Sequence, residues 1–145
     1  MELVRLLYIS RSCIDAESAE MRNIGAVSQA RNAAQGVTGY LYYDDDAFVQ
    51  VLEGPAKAVD HVFAKIDTDP RHQDIRVLEH CGLDQRRFGD WAMGLYNGSL
   101  YSGLLRLAFG QRFIATITTE DAKLLEQFLF DLSQGRDSKY QVEIS

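Results

Sequence analysis

Residues 37–53, VTGYLYYDDDAFVQVLE, decide the fold. Residues 37–43 are rich in β-branched and aromatic side chains, as strands are. The acidic run Asp44-Asp45-Asp46 follows as a turn, and residues 47–53 form a second strand-like run. Two such runs around a short polar turn read as a β-hairpin. Three acids in one hairpin turn are read as solvated, because calcium loops need oxygen ligands at wider spacing.

On both sides of the hairpin the period changes from two to that of a helix. Upstream, residues 18–34 read as a helix, with Asp15 and Ser18 as N-cap options and Gly36 as the C′ residue. Its packing face is read as Val27, Ala30 and Ala34. Downstream, Gly54-Pro55 opens a helix at about 56–68, whose apolar face is Val59, Val62, Phe63 and Ile66. Asp69-Pro70 ends it.

Farther out, residues 3–10 read as a strand with Val4, Leu6, Tyr8 and Ser10 on one face and Leu3, Arg5, Leu7 and Ile9 on the other. Residues 75–81 and 91–97 read as further strands. Leu104, Leu105, Leu107 and Phe109 suggest a short helix or loop. Thr118-Thr119-Glu120 starts an amphipathic helix carrying Ala122, Leu124, Leu125, Phe128, Leu129 and Leu132. The polar tail SQGRDSKYQVEIS reads as loosely held.

The order βαββαβ, a fifth strand and C-terminal helices predicts an α+β, ferredoxin-like fold. Right-handed crossovers put the two early helices on one sheet face. The C-terminal helix is then expected on the other. Strands one and three are expected as parallel neighbours at the centre of the sheet. The expected division is a domain over 1–97 and a helical extension over 98–145.

Composition narrows the function. The chain has 145 residues, is 46% hydrophobic and 25% charged, and carries a formal net charge of −6. Those values fit a globular domain and disfavour a general binder of phosphate backbones. No apolar run is long enough to span a membrane, and MELVRLLYIS makes a poor secretory signal. Cys13 and Cys81 are too few for a disulfide scaffold, so a cytoplasmic location is expected. His61, His72 and His80 lack metal-ligand spacing, and no metal site is expected. The cysteines lack a base or a Cys-x-x-Cys frame. Arg86 and Arg87 are read as a solvated pair. Gly39 marks a close approach of backbones.

If Tyr8 and Gln50 both face the helices, a phenol and an amide are buried side by side and need partners. Ile24, Ser28 and Asn32 form one stripe on the first helix, apolar at one end and polar at the other. A planar ligand with a hydrogen-bonding edge suits that stripe. So does an ordinary core in which Asn32 caps a backbone and Gln50 is satisfied.

Four segments carry a family resemblance: RLLYISRS at 5–12, RNAAQGVTGYLYYDDDAFVQVLEG at 31–54, DPRH at 69–72 and RRFGDWAMG at 86–94. The strand-one tyrosine, the N-A-x-x-G-[IV]-T-G run, F-x-Q-x-L-E-G and W-x-M-G together are specific. The chain resembles the BLUF family, blue-light sensors using flavin adenine dinucleotide. The resemblance implies FAD held between the two helices over the sheet. It implies Asn32 at the pyrimidine edge of the ring, Gln50 at N5 and O4, and Tyr8 as photochemical electron donor. Ile24 and Ile66 match apolar clamps, Ser28 a small polar neighbour, and Arg71 and His72 the ribityl-phosphate side. Arg31 stands where relatives often have Asn or His, either to donate to the flavin O2 or to lie in solvent. Trp91 and Met93 match a switch pair on strand five.

The implied mechanism is electron and proton transfer from Tyr8 to the flavin, then rotation or tautomerisation of the Gln50 amide. A reversible red-shifted state results, passed through strand five to the C-terminal helices. On this reading the chain is not an enzyme. The 48 residues after Asn97 are too few for an attached cyclase domain. A short, stand-alone sensor is expected, acting on a downstream response protein and self-associating as a homo-oligomer. The alternative is a small flavin-dependent reductase on a ferredoxin-like scaffold. A flavin-free regulatory module is a third reading.

Overall fold

The computed structural model describes residues 2–98 and 117–135. Strand β1 runs Leu3–Ser12, helix α1 Ala19–Gln35, β2 Thr38–Tyr43, β3 Ala47–Pro55, α2 Ala56–Asp67, β4 His72–Leu83 and β5 Gly94–Asn97. A short 3-10 turn, Thr119–Asp121, leads into α3, Ala122–Ser133. The stretch around Leu104–Phe109 and the end of the tail lie outside the described residues.

The strands form one mixed sheet in the order β4-β1-β3-β2-β5. β1 lies antiparallel to β3, with Tyr8 opposite Gln50, so the expected parallel pairing is wrong. The reason is topological. The β1-α1-β2 crossover makes β1 and β2 run the same way, and the hairpin sends β3 back between them, against both. The face argument survives because a period of two does not depend on strand direction.

Alternation along the central strands builds two cores. Val4, Leu6, Tyr8, Leu41, Phe48 and Leu52 pack with Met21, Val59, Val62 and Ile66 of the two early helices. Leu7, Ile9, Tyr42, Val49 and Val51 pack on the other face with Leu125, Phe128, Leu129 and Leu132 of α3. The helix placement is as expected. Leu124 is the exception in the expected apolar set of α3, at 62% exposed.

Local chemistry sets the ends of these elements. Ser18 is the N-cap of α1 and its hydroxyl accepts from the Met21 N–H. Gly36 ends α1 at φ 70°, a left-handed conformation that costs glycine little. A Cβ on Gly39 would sit 2.0 Å from the Val51 carbonyl oxygen, so the close backbone approach is real.

Four expectations need correction. The buried face of α1 is Met21, Gly25, Ser28 and Asn32, while Val27, Ala30 and Ala34 are exposed. Apolarity alone favours the valine and alanines; the helix instead turns in its small and hydrogen-bonding residues, and Asn32 donates to the Ala92 carbonyl at 3.1 Å. Strand five starts at Gly94, not residue 91. Before it, the Ala92 and Met93 carbonyls accept from side chains of α1 rather than from a strand.

The hairpin acids are not all solvated. Asp44 is buried and accepts from the Tyr42 hydroxyl and from the N–H groups of Asp46 and Ala47, while Asp45 accepts from the Ala16 N–H. They build the turn from inside. Nor are Arg86 and Arg87 a solvated pair. Arg86 donates to Thr38 Oγ1 and to the Gly36 and Glu53 carbonyls, and Arg87 to Glu126 and Gln127 of α3. Their partners come from remote parts of the chain, beyond any local pattern.

Candidate functional site: a cleft between α1 and α2

The two early helices stand apart over the sheet and leave a cleft with about 460 Å³ of empty space, its open mouth included. The sheet supplies the floor: Tyr8, Leu41, Phe48 and Gln50. Ile24, Val27, Ser28 and Arg31 line the α1 side, Ile66 the α2 side, and Asp69, Arg71 and His72 the rim.

At the floor, the Tyr8 hydroxyl donates to Gln50 Oε1 at 2.5 Å. Gln50 Nε2 points to the Met93 sulfur at 3.3 Å. Both residues are 2% exposed. A glutamine amide offers two acceptor positions and two N–H groups. Tyr8 and Met93 occupy one of each, which leaves an acceptor position and an N–H at a buried amide lining the cleft. Burial raises the Tyr8 phenol well above its ordinary value; Arg31 opposes that shift and Asp69 adds to it. Tyr8 therefore keeps its proton throughout the neutral range.

The rim is held by its own bonds. Arg71 clasps the Asp69 carboxylate with Nε and Nη2, at 2.9 Å and 2.7 Å. Those hydrogen bonds are the main reason Asp69 is held below the usual carboxylate range. His72 Nε2 contacts the Ile66 carbonyl at 2.7 Å, so that nitrogen carries a proton, and Nδ1 meets Ser10 Oγ at 2.6 Å. With both ring nitrogens engaged, His72 offers the cleft a wall.

Arg31 Nε is 3.4 Å from Asn32 Oδ1, and burial lowers the Arg31 guanidinium from its ordinary value. It remains a cation.

Of the residues named from sequence, Tyr8, Ile24, Ser28, Arg31, Gln50, Ile66, Arg71 and His72 line the cleft together. Asn32 lies fully buried beside it, with its amide N–H on Ala92. Met93 reaches the site through Gln50 and is 2% exposed. Trp91 is turned outward, at 36% exposed, with its ring edge-on to Tyr40. Leu41, Phe48, Val27 and Asp69 were not named from sequence as site residues. Phe48 was findable, because it shares the Gln50 face at a period of two. Among the described residues no group of His, Cys, Asp or Glu is arranged to hold a metal ion.

A model of the family described as "Sensors of blue-light using FAD" matches residues 3–94. The chain belongs to the BLUF family. The cleft fits the FAD that this family uses: a buried amide has hydrogen-bonding capacity left at the floor, and isoleucines flank the opening from both helices.

Among solved structures, "BlrB - a BLUF protein, dark state structure" superposes with a TM-score of 0.75 at 35% identity, covering 89% of this chain and 96% of that one. The photoactivated adenylate cyclase subunit beta of Euglena gracilis is 40% identical over 96 residues, or 63% of this chain and 11% of the cyclase. This chain thus spans about a tenth of the cyclase subunit's length. The blue light- and temperature-regulated antirepressor BluF of Escherichia coli K12 is 30% identical over 143 residues, 97% of this chain and 36% of the antirepressor. The reductase reading gains no support from these BLUF relatives. No helix among the described residues is long and apolar enough to cross a membrane.

Proposed function

We propose that this BLUF chain senses blue light through Tyr8 and Gln50 and is not itself an enzyme. The observation that carries the reading is the buried Tyr8–Gln50–Met93 chain at the floor of the cleft. Bound FAD supplies the blue-light absorption and, once excited, a one-electron acceptor. Tyr8 holds its phenolic proton in the dark because burial disfavours the phenolate. Loss of an electron from the ring makes that proton acidic, and Gln50 Oε1, 2.5 Å away, is placed to take it up. When the electron and proton return to Tyr8, no net chemistry has occurred.

What outlasts the cycle is the Gln50 amide. A turn about its Cγ–Cδ bond brings Nε2 to the Tyr8 oxygen and Oε1 to the Met93 sulfur. A carbonyl oxygen facing a thioether has no donor between them. Met93 must then shift, and β5 begins at the next residue. The output passes along β5 toward the C-terminal helix and on to a downstream response protein. Asn32, Ser28, Arg31, Ile24 and Ile66 hold the ring in this reading, with Arg71 and His72 toward the ribityl-phosphate side.

Self-association as a homo-oligomer belongs to the same reading; Leu124 on α3 offers 62% of its surface to a partner. The free cysteines Cys13 and Cys81 suit a reduced, cytoplasmic setting.

The test is an absorption spectrum of the FAD-loaded protein before and after blue light, then followed in the dark. A red shift that reverses supports the reading. Bleaching to reduced flavin overturns it.

A further inference from the structure

On the sheet face opposite the cleft, buried charges meet under α3. Arg5 of β1 is 7% exposed, and its Nε and Nη2 both lie 2.8 Å from Glu53 Oε2. Its Nη1 is 3.0 Å from Glu126 Oε1 on α3 and 3.6 Å from Glu79 of β4. The other oxygen of Glu53 accepts from the Arg87 and Phe88 N–H groups, at 2.8 Å and 2.6 Å. Glu126 Oε1 also takes Arg87 Nη1 at 2.8 Å. The same guanidinium lies 4.2 Å over the Phe130 ring and donates to Gln127. The photochemistry described above uses none of these groups. Buried ions are costly to desolvate, and these are matched by opposite charges and backbone donors drawn from β1, β3, the segment at 87–88 and α3.

They join α3 to the loop that ends at the cleft. Beyond Phe88, three successive carbonyls of that loop are gripped from other elements. Trp91 accepts from the Gly39 N–H, Ala92 from Asn32 Nδ2 and Met93 from Gln29 Nε2, each at 3.1 Å. At the last of these residues sits the sulfur that faces Gln50. Residues 87–93 are therefore fastened to the Gln50 amide at one end and to α3 at the other.

We propose that Glu126 is a positioning residue for output. Through Arg87 it ties α3 to the loop, so a displacement of Met93 reaches the helix backward along residues 87–93 as well as forward through β5. The proposal rests on the photosensor reading above. Glu126→Gln keeps the shape of the side chain and leaves Arg5 with Glu53 and Glu79, so the fold is retained. Arg87→Ala breaks the same link without altering α3.

The experiment uses the full chain loaded with FAD. Absorption is recorded in the dark and under steady blue light, and amide hydrogen exchange is followed over Ala122–Ser133 in both conditions. The unaltered chain is expected to red-shift and to change its exchange in α3 with light. Both variants are expected to red-shift equally and to show a clearly smaller light-dependent change, Arg87→Ala the smaller because a glutamine at 126 still accepts from Arg87. A merely structural Glu126 would raise exchange in dark and light alike and preserve the difference; that result overturns the proposal. So does a red shift in the unaltered chain with no response in α3. No red shift in the unaltered chain is a separate failure, visible in the spectrum alone, and it removes the photosensor reading together with the inference.

Discussion

At the scale of single residues, Tyr8 and Gln50 define what the cleft can do. The phenol and the amide oxygen lie 2.5 Å apart and both residues are 2% exposed, so proton movement between them needs no solvent. Tyr8→Phe removes one hydroxyl and leaves the ring packed against Phe63 and His72. This variant is expected to retain FAD and lose the red-shifted state, which difference spectra under blue light will check. Asp69 supports a second prediction. Its folded-state pKa is depressed by Arg71, so the pair stabilises the fold above the usual carboxylate range. That contribution disappears as pH falls through the depressed value. Asp69→Asn should therefore lower Tm near neutral pH, with the difference from the unaltered chain shrinking in acid. A thermal-unfolding series across pH measures it.

At the scale of elements, a glycine that ends α1 and one inside β2 do different work. Gly36 ends α1 at φ 70° with open space around it, so Gly36→Ala meets only backbone strain, about 1 kcal/mol. Gly39 has ordinary backbone freedom but no room, because an added Cβ falls on the Val51 carbonyl oxygen of the neighbouring strand. Gly39→Ala must force β2 from β3 and is expected to cost several times as much, roughly 3 kcal/mol or more. Urea titration of both variants separates the two causes. The same scale explains Met93: its segment is not yet strand, and bonds from α1 hold it in place.

At the scale of the whole molecule, central strands covered on both faces put the cleft and α3 on opposite sides of the same sheet. Residues of β1 alternate between them, with Tyr8 toward the cleft and Leu7 and Ile9 toward α3. Phe128 is 1% exposed in the core beneath α3, edge-on to Tyr42. Phe128→Ala is expected to destabilise the protein by about 3–5 kcal/mol. FAD absorbance at low temperature should be unchanged, since the cleft lies on the far face. Denaturant unfolding read by fluorescence and by flavin absorbance checks both halves. Glu53 belongs to this scale too. Glu53→Ala would leave Arg5 short of a carboxylate and two backbone N–H groups without their acceptor, at a cost of about 3–5 kcal/mol.

Much of this was written in the residues themselves. The hairpin at 37–53, the alternation that turns Tyr8 and Gln50 to one face, the apolar stripe of α3 and the glycine that ends α1 are local patterns. Local patterns follow from the period of strands and helices and from the steric freedom of glycine. The W-x-M-G ending and its companion motifs carried the family. Tertiary structure decided the rest. The position of β3 between β1 and β2 was one such choice, while its direction against β1 follows from the crossover and the hairpin. The inward face of α1 was settled by Asn32 finding the Ala92 carbonyl, sixty residues away in the chain. Trp91 turned out and Met93 in, because the amide at the floor of the cleft lies next to the Met93 sulfur. Arg5, Glu53, Arg87 and Glu126 look like ordinary surface charges in sequence. They are buried or half-buried partners only because folding brings four distant segments together, and charge pairing at such separations has no period to read.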